Sequence, residues 1–259
     1  MRLAAISDIH GNLPALEAVL ADIARAGVDL TLNLGDIVSG PLWPSETAQL
    51  LMALDLPTIR GNHERQVLAT APHGASDAFA AARLTQAQRA WLAALPATRL
   101  VGGDVFCCHG TPSSDLHYFL ETVTPDFVRG GAPGIRAASS AEVAARALDV
   151  PQRLILCGHT HVPRDALLAD GRLVVNPGSV GLQAYDDTHP NPHVVENGTP
   201  HARYALLTGA AGQWQVEHRC VPYDADAAAR RAEANGRGDW ADALRSGRVG
   251  RFESEVVAA

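Results

Sequence analysis

With 259 residues the chain suffices for one large α/β domain or two small ones. Apolar residues make up 47% and aromatics 5%, so the core is expected to be sizeable, aliphatic and Ala-rich. A net charge of −7 argues against a polyanion-binding surface. No polymeric nucleic acid is therefore expected as a partner, and any phosphate must meet a local positive centre such as a bound metal ion. The chain has no charged-then-apolar start and no apolar run near about 18 residues, so a cytoplasmic protein is expected, neither secreted nor membrane-spanning.

An apolar run at residues 3–7 leads into Asp8, and His10-Gly11-Asn12 turns the chain into a helix. Leu13, Leu16, Leu20 and Ile23 mark one face of it, Pro14 lies in its first turn and Gly27 stops it. A second run at residues 30–34 ends in Gly35-Asp36, which makes a β-α-β unit. The pattern repeats through a helix over Pro44–Leu54 and a strand over residues 58–60 that ends in Gly61-Asn62-His63. Thr85-x-x-Gln88 before Trp91, Leu92 and Leu95 has capping-box spacing. A run at residues 105–108 ends in His109. Residues 111–139, rich in Gly, Pro and Ser, read as an irregular cap over the strand ends, and Ser139-x-x-Glu142 opens a helix through Ala147. The run at residues 153–157 ends in Gly158-His159-Thr160-His161.

The second half reads differently. Short strands are expected at residues 166–168, 173–176, 204–207 and 214–221, with tight turns at Asp170-Gly171 and residues 209–212. Together they would complete a second sheet. Residues 185–201 are polar, with Pro and His, and read as a loop whose His189, His193 and His201 are solvated rather than an accessory metal site. After Pro222 the composition turns to Ala, Arg and Glu, with Trp240 and Leu244 four apart, a helical segment. The expected organisation is one domain over residues 1–222 with a helical segment, residues 223–259, packed on it. Cys107, Cys108, Cys157 and Cys220 lack the C-x-x-C spacing of structural zinc sites and read as buried small hydrophobes in a reducing compartment. As neighbours on a strand, Cys107 and Cys108 should face opposite sides of the sheet.

Five strand ends thus carry metal-ligand residue types, and in open α/β sheets ligands gather beyond the carboxyl ends of strands. Two Asp, one Asn and several His suit Zn, Fe or Mn. On an extended chain, Asp8-x-His10 would place both side chains on one face. Asp36, on a glycine turn, could offer one oxygen to each of two ions.

Asp8-x-His10, Gly35-Asp36, Gly61-Asn62-His63-Glu64, a strand ending in His109, and Gly158-His159-Thr160-His161 resemble the calcineurin-like metallophosphoesterase family, in its order. Asn176-Pro177-Gly178-Ser179 resembles the segment that follows in its small bacterial branch. The resemblance implies a four-layer α-β-β-α sandwich of two mixed sheets, with a dinuclear centre at the strand ends. By that pattern Asp8, His10 and His161 hold one ion, Asn62, His109 and His159 the other, and Asp36 bridges them. Two divalent or trivalent ions, Mn, Fe or Zn, are the implied cofactors. His63, paired with Asp36, would contact phosphate and serve as general acid. The implied reaction is attack of a metal-bridging hydroxide on a small phosphate ester, a phosphodiester or nucleotide-like compound, with both oxygens of the in-line displacement stabilised by metal. His63 or water would protonate the leaving group. Asn12, His117 and Tyr118 are weaker candidates for substrate contact, Asn12 also being a plain helix N-cap. The rival readings are a protein serine/threonine phosphatase and a metal-binding scaffold with little turnover.

Overall fold

The computed structural model describes residues 1–71, 74–147, 150–210 and 213–257. In chain order these form β1 (Arg2–Ile6), α1 (Leu13–Ala26), β2 (Leu30–Asn33), α2 (Pro44–Leu54), α3 (Asn62–Val67), α4 (Ala75–Ala81) and α5 (Gln86–Ala94). There follow β3 (Arg99–Val101), β4 (Val105–Cys107), β5 (Glu121–Val123), β6 (Ile135–Ala137), α6 (Ser140–Ala147) and β7 (Leu154–Leu156). The rest comprises β8 (Arg164–Leu167), β9 (Leu173–Asn176), β10 (Ala184–Asp187), β11 (His193–Glu196), β12 (Ala202–Ala210), β13 (Gln213–Val221), α7 (Ala225–Ala234), α8 (Gly238–Ser246) and α9 (Glu253–Val257).

Two mixed sheets carry the fold, one in the order β13-β12-β1-β2 and the other β3-β4-β7-β9-β8. β1 pairs β2 in parallel, and β7 lies parallel between β4 and β9. Strand alternation sorts the side chains into layers. Leu3 and Ala5 of β1, with Leu207 and Ala205 opposite them on β12, meet Val105, Cys107, Leu154, Leu156, Leu173 and Val175 of the second sheet in one core. Ala4, Ile6, Tyr204 and Leu206 point the other way, onto Leu16, Val19 and Ile23 of α1, Leu51 of α2 and Leu92 of α5. On the far side, Cys108, Ile155, Cys157 and Val174 pack against Phe119, Leu120 and Val143 and Ala147 of α6. That is the four-layer sandwich. Cys107 and Cys108 do face opposite sides, and all four cysteines are free, with only Cys220 exposed.

The helix signals act as read. Asn12 caps α1, accepting the Ala15 N–H at 3.3 Å, and Gly27 ends it in the left-handed region at φ 66°. Thr85 and Gln88 form the capping box of α5. Ser139 and Glu142 likewise bond reciprocally at the start of α6, Glu142 N to Ser139 Oγ at 3.3 Å and Ser139 N to Glu142 Oε2 at 2.7 Å. In the C-terminal segment Trp240 and Leu244 are buried against Leu42, Leu182 and Ala184.

Three expectations need correction. Residues 58–60 form only a bridge, Thr58 to Asn33, because the Arg60 N–H already turns away to Pro96 O. Residues 185–201 are not a plain loop. They contribute most of the β10–β11 hairpin, with Tyr185 opposite Val195 and Asp187 opposite His193. Buried His193 and Val195 alternate there with more exposed Val194 and Glu196, a period of two that the flanking Pro and Asp residues mask in the sequence. The cap, residues 111–139, contains a second hairpin, β5–β6. The turn read at residues 209–212 involves Ala211 and Gly212, which lie outside the described residues.

Candidate metal centre

The carboxyl ends of β1, β2, β4 and β7 converge, and backbone hydrogen bonds lock the loops beyond them together. Asp8 N and His10 N donate to Gly35 O and Asp36 O, each at 3.0 Å, and Gly158 N donates to His109 O at 2.7 Å. The two sheets are joined where His159 N donates to the Asp8 carboxylate at 3.2 Å. Asn176 and Ser179 brace the same loops, Asn176 Nδ2 donating to Gly158 O at 2.7 Å and Ser179 Oγ to Asp8 O at 2.8 Å.

Two trios result, Asp8–His10–His161 and Asp36–His109–His159, the ligand atoms of each lying within 4.8 Å of one another. They adjoin, since Asp8 Oδ1 is 3.5 Å from His161 Nε2 and 3.9 Å from His109 Nε2. The expectation that Asp8 and His10 share a face by strand alternation is corrected, for neither residue is extended. Both sit in the left-handed region, at φ 55° and 53°. Asp36, His159 and His161 do likewise, at φ 54°, 70° and 60°. Among the described residues the only other non-glycine residue with positive φ is Asp55, which ends α2. Each such residue costs about 1–2 kcal/mol relative to ordinary backbone. Strain concentrated on five candidate ligands marks this as the place where the fold spends stability on geometry.

Hydrogen-bond logic tests whether cations fit. His10 Nδ1 lies 2.7 Å from Ser39 O, and His161 Nδ1 lies 2.7 Å from Leu182 O. A carbonyl oxygen only accepts, so both Nδ1 atoms carry a proton and both Nε2 atoms are left to face the site. Those Nε2 atoms stand 3.0 Å apart. Burial and the neighbouring His161 push His10 down to about 3, so it stays neutral and its Nε2 keeps a lone pair for a cation. In the second trio, His109 Nδ1 donates to Leu34 O at 2.8 Å, while its buried Nε2 is 2.9 Å from Asp36 Oδ2 but not aligned with it as a hydrogen bond. His159 uses Nε2 on Leu116 O at 3.1 Å, which leaves Nδ1 as its lone pair, and burial with His109 pushes it down to about 4. Asn62 Oδ1 is buried with no hydrogen-bond partner. This is the donor set of a borderline transition metal such as Zn, Mn or Fe.

His63 departs from its expected pairing. Its Nδ1 bonds Asp77 Oδ1 at 2.8 Å, whereas only its backbone N–H reaches Asp36, at 3.0 Å from Oδ1. Burial lowers His63, but the Asp36 charge and the Asp77 hydrogen bond and charge outweigh it and raise it to about 9. Asp77 also accepts from Ser39 Oγ at 2.7 Å, so Ser39 touches both His10 and the partner of His63. Asp77 lies on α4, in a stretch with no motif to announce it. Glu64 was visible as the end of Gly61-Asn62-His63-Glu64. Fully buried, it accepts from Asp36 N at 2.9 Å, Ile37 N at 2.7 Å and Gly61 N at 2.7 Å, tying the Asp36 turn to the Asn62 turn.

The site opens into a cleft of about 1420 Å³ lined by His10, Asp36, Asn62, His63, His159 and His161, and further out by Trp240 and Phe252. Of the weaker candidates, His117 is exposed and lines this cleft. Tyr118 lines it too, but its hydroxyl is engaged by Tyr185 and His193. Asn12 is a correction: it is fully buried, and its side chain serves Ala15 N, Gly181 O and Tyr223 Oη, so it has no face toward a substrate. His193 is likewise buried rather than solvated, and among the described residues the trios named above are the only groups of three or more His, Cys, Asp or Glu placed to hold a metal.

A family model for calcineurin-like phosphoesterases matches residues 1–163, and the chain belongs to that family. It is a family of metal-dependent hydrolases acting on phosphate esters. The crystal structure of a metallophosphoesterase from Sphaerobacter thermophilus is similar over 95% of this chain and all of that one, at 25% identity and TM-score 0.73. An uncharacterized protein of Methanocaldococcus jannaschii is 29% identical over 205 residues, which is 69% of this chain and 76% of that protein. The structure of a candidate diadenosine tetraphosphatase shares the fold at 16% identity and TM-score 0.51, over 85% of this chain and 94% of that one. Among the described residues no helix is long and apolar enough to cross a membrane.

Proposed function

We propose that the protein is a dinuclear metal-dependent phosphoesterase acting on a small-molecule phosphate ester, a phosphodiester or nucleotide-like compound, in the cytoplasm. The observation that carries this reading is the facing pair of imidazole nitrogens, His10 Nε2 and His161 Nε2 at 3.0 Å, beside a second trio with the orphaned Asn62 Oδ1. Asp8, His10 and His161 would hold one cation, Asn62, His109 and His159 the other, with Asp36 shared between them. Bound there, the pair of cations would supply an acidified water and neutralise charge on the phosphoryl oxygens.

The chain's own groups do the rest. Carbonyls of Ser39, Leu182, Leu34 and Leu116 fix the tautomer and tilt of the four ligand histidines. His63, kept protonated and aimed by Asp77, would hold a phosphoryl oxygen or give its proton to the leaving oxygen. The cleft wall itself attracts phosphate poorly. Arg146, Arg237 and Arg251 line it, but each guanidinium is engaged, with Glu121 O, Asp239 and Asp242 among the partners. Glu121, Asp186, Asp187 and Glu253 line it as well. Attraction for the phosphoryl group therefore rests on the metal centre, and the volume of the cleft leaves room for a bulky organic group beyond it. Residues 223–259 would act as one unit with residues 1–222, because Trp240 of α8 packs edge-on against His10 at 5.9 Å.

The test is hydrolysis of an aryl phosphodiester by the Mn-loaded protein and by His10→Ala. Turnover by the first and loss of at least about 10²-fold in the second is expected, the scale of losing a group that acts in the transition state. No turnover with two ions bound would favour the scaffold reading.

A further inference from the structure

The β10–β11 hairpin, which the sequence presents as a polar excursion, sends Tyr185 against the candidate ligand His161 and His193 against Tyr118 beside it. His193 is buried, and its Nδ1 lies 2.8 Å from Asn191 O. The carbonyl only accepts, so Nδ1 carries the proton and Nε2 is an acceptor. Tyr118 Oη lies 2.9 Å from that Nε2 and must donate to it. Having spent its one proton, Tyr118 Oη accepts from Tyr185 Oη, 2.8 Å away. Tyr185, Tyr118 and His193 thus form one connected chain, and Tyr185 Oη also approaches His159 O, at 3.4 Å.

Both rings stand edge-on against candidate ligands, Tyr118 against His159 at 5.0 Å and Tyr185 against His161 at 4.8 Å. Tyr118 also sits two residues after Leu116, whose carbonyl holds His159 Nε2 at 3.1 Å. Upstream the stretch is fixed by the Thr111–Ser114 bridge, and downstream by buried Phe119. Leu116 and His117 are exposed, and their N–H groups reach only Ser114 Oγ. A side-chain tie between them is the exposed bidentate pair of Asp115 with Arg65 of α3.

We infer that Tyr118, Tyr185 and His193 are positioning residues for the metal centre. By clamping the stretch that carries Leu116 O, they hold His159 in the tautomer that presents Nδ1 to the ion shared with Asp36 and His109. The inference rests on the reading of His159 as a metal ligand. Groups that orient a ligand histidine typically govern metal affinity by about 10–100-fold. Tyr118 acts one step further out, so the low end of that range applies.

The experiment is equilibrium dialysis of the wild-type protein, Tyr118→Phe and Tyr185→Phe against Mn(II), with thermal unfolding of each metal-free form. Tyr118→Phe removes the donor to His193, and Tyr185→Phe removes the partner of Tyr118 and a longer contact, at 3.4 Å, to His159 O. The expected result is two ions in the wild type and about tenfold weaker binding of one ion in Tyr118→Phe. A smaller loss is expected in Tyr185→Phe, with the other ion retained in both. Saturating Mn(II) should restore kcat of an aryl diester in both variants. Wild-type stoichiometry with unchanged affinities in both variants overturns the inference and leaves the proposed function standing. Equal weakening of both ions together with a large loss of unfolding temperature overturns it as well, because the chain would then only support the fold. A wild type that binds no ion fails the proposed function itself, and the inference with it.

Discussion

Replacing Glu64 with Gln probes how the site is assembled without replacing any candidate ligand. The buried carboxylate receives three backbone N–H groups, two of them, from Asp36 and Gly61, on Oε2 and one, from Ile37, on Oε1. Burial and the Asp36 charge raise the carboxyl's pKa, and the Ile37 and Gly61 N–H bonds oppose that rise. The best placement of a Gln amide keeps its oxygen where Oε2 was, so the amide NH₂ confronts Ile37 N–H. One charge-assisted hydrogen bond disappears, one buried donor is orphaned and two remaining bonds lose their charge. With about 1.5–3 kcal/mol for a hydrogen bond to a charged group and about 1–3 kcal/mol for an orphaned donor, partly the same loss, the net is about 2–4 kcal/mol. At about 2–4 °C per kcal/mol for a chain of this size, unfolding should fall by roughly 5–15 °C. Glu64→Ala orphans all three donors and should cost more. The assay is thermal and urea unfolding of the metal-free proteins, which keeps metal loss out of the comparison. If Glu64→Gln lies within about 0.5 kcal/mol of wild type, or if Ala is no worse than Gln, the three bonds do not hold the two turns together and the reasoning is wrong.

Other perturbations separate chemistry from scaffold. Asp36→Asn should lower bound metal by at least one ion and abolish turnover, as measured by elemental analysis and diester hydrolysis; retention of both ions with near-normal activity would exclude a shared carboxylate. His63→Ala should cost an activated aryl diester little and an alkyl or nucleoside ester about 10²–10⁴-fold, in steady-state kinetics, as befits loss of a general acid; equal losses would leave His63 only a phosphate-orienting role. Asp77→Asn should reproduce part of that pattern, because Asp77 bonds His63 Nδ1 at 2.8 Å, and an unchanged leaving-group dependence would remove Asp77 from the catalytic account. Gly181→Ala should unfold or poorly express, since its Cβ would fall 1.8 Å from Ile9 O, a backbone atom that cannot move without displacing Asp8 and His10; a soluble variant with normal metal content would refute that.

Much of the layered architecture is readable in the chain because burial on both faces of a strand leaves uninterrupted apolar runs. The runs that end in Asp8, Asp36 and His109, and the one before Gly158-His159, all became strands of the two sheets. The run before Asn62 did not, since after one bridge the Arg60 N–H turns away to Pro96 O. The candidate ligands themselves were legible because each falls at such an end. How they converge was not. Asp8 and His10 share a face through left-handed φ values, a tertiary outcome that strand periodicity cannot forecast. Asp77 was invisible for a related reason: its link to His63 spans two short helices, α3 and α4, each too short to show periodicity. The hairpin bearing Tyr185 and His193 was hidden by polar and Pro residues at its ends. Among the substrate candidates, Asn12 illustrates the ambiguity of a polar residue beside a strand end, where capping a helix and facing a ligand look alike in sequence.

The proposed dinuclear reading requires two bound metal ions in this chain. The deciding measurement is titration of the metal-free protein with Mn(II) while following both bound ion and aryl phosphodiester hydrolysis. Binding is expected to saturate at two ions per chain, activity to rise only as the second ion binds, and His161→Ala to remove one ion. Saturation at one ion with full activity, or hydrolysis that persists in the metal-free protein, would contradict that reading.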